Sequence, residues 1–181
     1  MSERVAIFID GGNFYHSIRD DFNNNKKLDF EKFTHKLAAG RPLLRVYYYN
    51  VLPKQEDDPA KYGKQQRFLD SLDHTPYFDV HIGRLVKHGD IRKEEGVDVT
   101  LSVDMLEMAF VNAYDTAILV SGDGDFAYAV SAVKRLGKHV ENIATPHNLS
   151  YHLRKLCDHV LILDEDFLAD CWKSNQNNGV E

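Results

Sequence analysis

Cysteine is almost missing from this chain. Cys157 and Cys171 are the only two among 181 residues. They match no zinc spacing and make no disulfide framework, which fits a reducing cytoplasm. No apolar run is long enough to span a membrane. Met1-Ser2-Glu3-Arg4 leads straight into a strand, with no signal peptide legible. The expectation is a cytoplasmic protein with no membrane partner. Positive charge is also scarce: 22 Lys and Arg stand against 28 Asp and Glu, for a net charge of −6. That argues against a protein that coats nucleic acid non-specifically. It leaves room for an enzyme acting on nucleic acid, because metal-binding aspartates make the metal-free charge more negative. There is no glycine-rich phosphate loop of the Walker type, and no Ser–His–Asp or Cys–His arrangement can be inferred. Repeats and linkers are absent as well. The chain reads as one domain over 1–172, with a polar tail over 173–181 expected to be disordered.

Two short runs stand out among what is present. Val5-Ala6-Ile7-Phe8-Ile9-Asp10 and Thr116-Ala117-Ile118-Leu119-Val120-Ser121-Gly122-Asp123-Gly124-Asp125 are apolar stretches that end in a carboxylate beside glycine. Such runs read as strands covered on both faces, as in parallel sheets. Ligands of open α/β sheets sit beyond the carboxyl ends of the strands. Both runs therefore aim carboxylates at the usual active-site edge. Gathered carboxylates repel one another unless a proton or cation intervenes, and a hard divalent ion such as Mg²⁺ suits them.

Strand signals over 4–9, 44–50, 78–86, 116–121, 138–144 and 160–163 alternate with helix signals over 13–22, 30–39, 59–71, 97–112, 125–136 and 149–157. That alternation predicts an α/β fold, a three-layer α/β/α Rossmannoid with a mainly parallel central sheet. Gly137 reads as the residue closing a helix, and Asp29 and Asn148 as helix N-caps. Tyr47-Tyr48-Tyr49 alternates as a strand does, which sends one or two rings to the core. The helix over 97–112 is apolar on two sides. Val99, Val103, Leu106 and Phe110 line one, and Leu101, Met105 and Met108 the other, so it is expected to pack between the sheet and other helices. His88-Gly89-Asp90 marks the turn of a basic hairpin carrying Arg84, Lys87, Arg92 and Lys93.

Asp10, Asp123 and Asp125 are the candidate catalytic and metal-binding residues. Asp98 is a further candidate, although a carboxylate in a helix's first turn suits the dipole without any function. Asp104, mid-helix among apolar neighbours, reads as a buried hydrogen-bonding group. Asn13 is both a polar ligand candidate and a natural cap. His147 and His152 lack a third convergent ligand and read as surface residues, and Tyr15 and His16 as helix rim.

At this point the chain resembles the NYN-domain proteins, the LabA-like branch of the PIN-like nuclease superfamily. The matching residues are Ala6-Ile7-Phe8-Ile9-Asp10-Gly11-Gly12-Asn13, Gly96-Val97-Asp98-Val99 with Asp104, Ser121-Gly122-Asp123-Gly124-Asp125-Phe126, Gly137-Lys138-His139-Val140, and the segment from Ser150 to Leu163. The resemblance implies a PIN-like fold, an acidic pocket for Mg²⁺ or Mn²⁺ formed by Asp10, Asp98, Asp123 and Asp125, and ribonuclease activity with RNA as substrate. Asn13 matches the family's companion polar residue. Asn13 and Ser121 are the expected substrate contacts in the pocket, and Arg84, Lys87, Arg92 and Lys93 along the hairpin. The family often has a basic residue directly before Gly-Val-Asp, where this chain has Glu95. Three other readings compete. One is a catalytically inactive module that binds RNA, a nucleotide or a protein partner. A haloacid-dehalogenase phosphatase wants an Asp where Gly12 stands, and a primase-like domain wants a glutamate where Asp10 stands. A homodimer would enlarge a small acidic pocket into a groove.

Overall fold

The computed structural model describes residues 3–22, 27–88 and 91–173, with the backbone alone for 84–88 and 91–95. Strand β1 (Val5–Asp10) is followed by α1 (Gly11–Phe22), α2 (Phe30–Ala38), β2 (Leu43–Val51), α3 (Pro59–Asp73), β3 (Phe78–His88) and β4 (Ile91–Glu95). Then come α4 (Val97–Phe110), β5 (Thr116–Val120), a 3₁₀ turn (Gly124–Phe126), α5 (Ala127–Arg135), β6 (His139–Ala144), α6 (Tyr151–Leu156), β7 (His159–Ile162) and α7 (Glu165–Leu168). The strands lie in the order β4-β3-β2-β1-β5-β6-β7. Six are parallel, and β4 returns antiparallel along β3. Strand order turns around between β1 and β5, which makes that pair the topological switch point.

All six β1 residues are buried. Val5, Ile7 and Ile9 face one core with α1, α2, α3 and α7, and Ala6 and Phe8 face the other with α4, α5 and α6. This two-sided burial explains the unbroken apolar run, since a strand with one wet face would alternate. It also buries all three of Tyr47, Tyr48 and Tyr49, at 6, 2 and 1 % exposure. The expectation of one or two core rings is corrected accordingly: both sides of β2 are covered.

The expected elements lie within two residues of those observed. Asp29 caps α2, its carboxylate accepting from the Lys32 backbone N–H at 3.2 Å. Gly137, at φ 78°, closes α5. Two local readings are corrected. Ser150, not Asn148, caps α6, because its hydroxyl accepts from the His152 N–H. Helix α4 packs on the sheet through Val97, Leu101, Met105 and Ala109, with Met108 beside them, and against α5 at its flank. Its Val99, Val103 and Phe110 are more than half exposed, and Leu106 is exposed too. In a three-layer fold no described element lies outside that helix to cover them. The four-residue α7 was not anticipated. Residues 174–181, most of the expected tail, lie outside the described residues. So do Gly89 and Asp90 of the hairpin turn.

Candidate active site

The end of β1 delivers Asp10 to the carboxyl edge, and α1 begins at once with Gly11. A methyl group at Gly11 would lie 2.5 Å from the Tyr48 ring, so only glycine lets the chain turn here against β2. Asp10 is 6 % exposed. Its Oδ1 accepts from the Asn13 N–H at 3.1 Å, and its Oδ2 from the Ser121 hydroxyl at 3.2 Å. Burial pushes its carboxyl up to about 6. The two hydrogen bonds oppose that rise, and the charges of Asp98 and Asp123 add to it. Asp98, in the first turn of α4, is also raised, by burial first and then by Asp123 and Asp125. Four carboxylates from three separate segments thus lie within reach of one another's charge.

The β5 loop is built around Ser121, itself 2 % exposed. Its Oγ accepts from the Asp123 N–H at 3.1 Å while donating to Asp10. The Asp123 carboxylate in turn caps the 3₁₀ turn, accepting from the Asp125 N–H at 2.9 Å. Asp123 is half-buried and Asp125 exposed, so the pair runs from the floor of the site to its mouth.

Two expected substrate contacts serve the scaffold as they lie. The Asn13 Oδ1 accepts from the Gly122 N–H at 3.0 Å and from Asn148 Nδ2 at 2.7 Å. Ser121 is covered by its own bonds. Asp104 turns away from the pocket, and the Tyr49 hydroxyl donates to its Oδ2 at 2.9 Å. His81 lies 3.8 Å from the same oxygen and stacks on the Tyr49 ring, which fits the structural reading of Asp104. The backbones of β3 and β4 pair as a hairpin with Lys87 opposite Arg92. The side chains of Arg84, Lys87, Arg92 and Lys93 lie outside the described residues. His147 is exposed and bonds Asp21 at 2.6 Å.

Sequence reasoning missed a latch. Asn148 binds both Asn13 and the Ser17 hydroxyl, tying the loop before α6 to α1. The Ser150 N–H donates to the Gly122 carbonyl at 3.1 Å, tying the same loop to β5. A Cβ on Gly122 would lie 1.9 Å from the Asn148 carbonyl oxygen, so this closure requires glycine. Asn142, fully buried in β6, donates to the carbonyls of Leu119 and Ser121 and holds the end of β5 from the other side. Its strand reads His-Val-Glu-Asn-Ile-Ala, in which nothing marks the Asn as buried.

The donor set is hard oxygen from carboxylates, and Asp10 carries a charge that burial and its neighbours disfavour. A divalent cation would relieve both costs, so the residues fit Mg²⁺ or Mn²⁺. Among the described residues no three Asp, Glu, His or Cys side chains are already drawn into one ligand cluster. The carboxylates feel one another's charge but do not close on a point.

The model of the NYN domain matches residues 4–164. The Low amplitude and bright protein LabA of Synechococcus elongatus is 26% identical over 174 residues, covering 90% of this chain and 84% of that protein. An uncharacterized protein of Methanocaldococcus jannaschii is 35% identical over 74 residues, 41% of this chain and 31% of its own. Among solved structures, a Vibrio parahaemolyticus protein of unknown function superposes with a TM-score of 0.73 at 27% identity. That match covers 92% of this chain and 96% of the other.

Proposed function

The chain belongs to the NYN-domain family, a PIN-like nuclease domain, and on that premise we propose that the acidic pocket is the active site of a divalent-metal-dependent ribonuclease. The observation that carries the reading is Asp10, a buried carboxylate raised to about 6 and facing other carboxylates at the switch point. Structural aspartates are ordinarily paired with cations, and this group lacks a described cationic partner. It suits a site that gains its counter-charge from a ligand.

Asp10, Asp98, Asp123 and Asp125 would hold the Mg²⁺ or Mn²⁺. When bound, the ion supplies Lewis acidity toward a phosphodiester and neutralises the gathered carboxylates. Ser121 and the Asn13 amide fix both oxygens of Asp10, so that carboxylate needs no reorganisation when substrate arrives. Asp125, at the exposed mouth, orients the water that attacks phosphorus in line. The P–O bond to the 3′ oxygen breaks, that oxygen leaves as a hydroxyl with a proton drawn from solvent, and the water, having given up a proton to solvent, becomes part of a 5′-phosphate on the other product. Catalysis of this kind rests on positioning and charge, not on covalent chemistry by the protein. The hairpin residues Arg84, Lys87, Arg92 and Lys93 would guide the RNA backbone, since phosphate contacts set register.

The test is cleavage of single-stranded, hairpin and duplex RNA by the purified protein with Mg²⁺, Mn²⁺ or EDTA, beside an Asp123→Asn variant. Metal-dependent cleavage lost in the variant is the expected result. Cleavage unchanged in Asp123→Asn would remove that residue from the mechanism. One observation favours a second reading, a module that binds without turnover: the carboxylates are not drawn into a ligand cluster. Metal binding with no cleavage of any RNA would select it.

A further inference from the structure

Helix α4 is apolar nearly all round, and a helix of that composition is ordinarily buried all round. Here only one side is. Val99, Val103, Leu106 and Phe110 follow one another at spacings of four, three and four, so they form a single straight stripe along about 16 Å of helix. Their exposures are 66, 53, 37 and 77 %, and Val111 beyond them is 60 % exposed. Single exposed hydrophobics need no explanation, but a continuous row does.

We propose that this outer face of α4 is where a second copy of the chain docks, giving a two-fold dimer. Three observations choose that occupant. The first is area. Side chains of about 150–200 Å² exposed to these degrees offer roughly 500 Å² per copy, so pairing two stripes removes about 1,000 Å², where specific interfaces begin. The second is shape. A two-fold contact brings one patch against itself, and a regular stripe meets its own antiparallel copy ridge against groove. The third is charge. The helix carries Asp98, Asp104 and Glu107 and no basic residue. A membrane surface with anionic lipid would want Lys or Arg beside the apolar row. The last described residue, Lys173, lies elsewhere, hydrogen-bonded to Lys27, with Trp172 packed on the opposite core. The inference does not depend on the pocket being a nuclease. It places Asp98 of each copy at one end of the paired helices, so the two pockets lie at opposite ends of the seam.

The experiment is sedimentation velocity of the full chain from about 1 to about 100 µM, the range in which an interface of this size assembles. The wild type is expected to reach twice the chain mass within this range. The double variant Val103→Lys, Phe110→Lys is expected to halve it. Ile82→Lys, an equally exposed apolar site on β3, is expected to leave the dimer intact. A wild type that stays at one chain mass throughout overturns the proposal. So does a dimer that persists in the double variant, or one lost equally in Ile82→Lys. Should the double variant fail to fold by circular dichroism, Leu106→Cys decides. Mid-stripe, it should form a disulfide-linked dimer on mild oxidation with diamide, and the wild type should not. Absence of that species with a folded variant overturns the proposal.

Discussion

The two edges of the sheet treat charge in opposite ways. At the amino edge, carboxylates meet cations. Arg4 grips Asp115 through two side-chain nitrogens at 2.9 and 3.0 Å, and its backbone N–H donates to the same group. Arg41 holds Glu141 through two bonds at 2.7 and 2.9 Å, with Glu3 beside it. The bonds from Arg4 pull the Asp115 carboxyl well below the usual range. At the carboxyl edge, among the described residues, no ion pair reaches Asp10, Asp98, Asp123 or Asp125. Burial and mutual repulsion push Asp10 and Asp98 the other way. The same residue type clamps the fold at one edge and strains it at the other. A buried carboxylate without a described cationic partner is what a site that takes its counter-charge from a ligand requires.

That contrast can be broken at its strongest point by Asp10→Asn. RNA cleavage should fall about 1,000-fold, or about 4 kcal/mol of transition-state stabilisation. The metal-free protein should at the same time become more stable at pH 8. The sign follows from linkage: the folded carboxyl titrates near 6 and the unfolded one near 3.8. The folded state therefore holds its proton more tightly, and stability is lost as pH rises from about 4 through about 6. The whole effect is about 3 kcal/mol. Thermal melts in EDTA should separate variant from wild type above pH 6 and converge below pH 4. A variant no more stable than wild type at pH 8 would refute the strain at this edge. Adding Mg²⁺ should raise the melting temperature of the wild type and not of the variant.

Gly122→Ala tests whether the acidic edge depends on its latch. The added methyl cannot coexist with the Asn148 carbonyl where it lies. A loss of about 2–3 kcal/mol in urea unfolding is expected, with cleavage reduced because Asp123 moves. Arg41→Met probes the opposite edge. It should cost about 2 kcal/mol of stability by leaving Glu141 half-buried without its partner, and leave cleavage per folded molecule unchanged. If Arg41→Met also abolishes cleavage, the two edges are not independent. Asp104→Ala should have the smallest effect, about 1 kcal/mol from the orphaned Tyr49 hydroxyl, with cleavage within about twofold of wild type. A large loss of cleavage there would move Asp104 into the pocket.

Sequence alone made much of this legible, and the reason is physical. A strand buried on both faces must be apolar throughout, so β1 and β5 announced themselves and the aspartates at their ends came with them. Asp98 was readable as a candidate because it stands in the first turn of a helix, within the Gly-Val-Asp that carries the family resemblance. The Asn13–Asn148 contact was not readable, since 135 residues separate its partners and Asn148, three residues before α6, reads in sequence as an ordinary cap, a role that Ser150 fills instead. The outward stripe of α4 was visible as a pattern, but not which of its two apolar sides met the sheet. Periodicity gives the angle between faces and says nothing of what lies against each. The short α7 carries too few residues to show a period at all.

The latch also has a consequence in time. The loop that closes over β5 begins more than 130 residues after Asp10, so the pocket cannot be complete until all of that intervening chain has been synthesised. While the polypeptide is still emerging from the ribosome, β1, β2 and β3 can pair. Asp10 and Asn13 then wait without Ser121, Gly122 or Asn148. Contacts of such high sequence separation form late in folding as well. No amino-terminal fragment ending before Asn148 can complete the site, so an interrupted translation product carries the first aspartate and none of the assembled pocket.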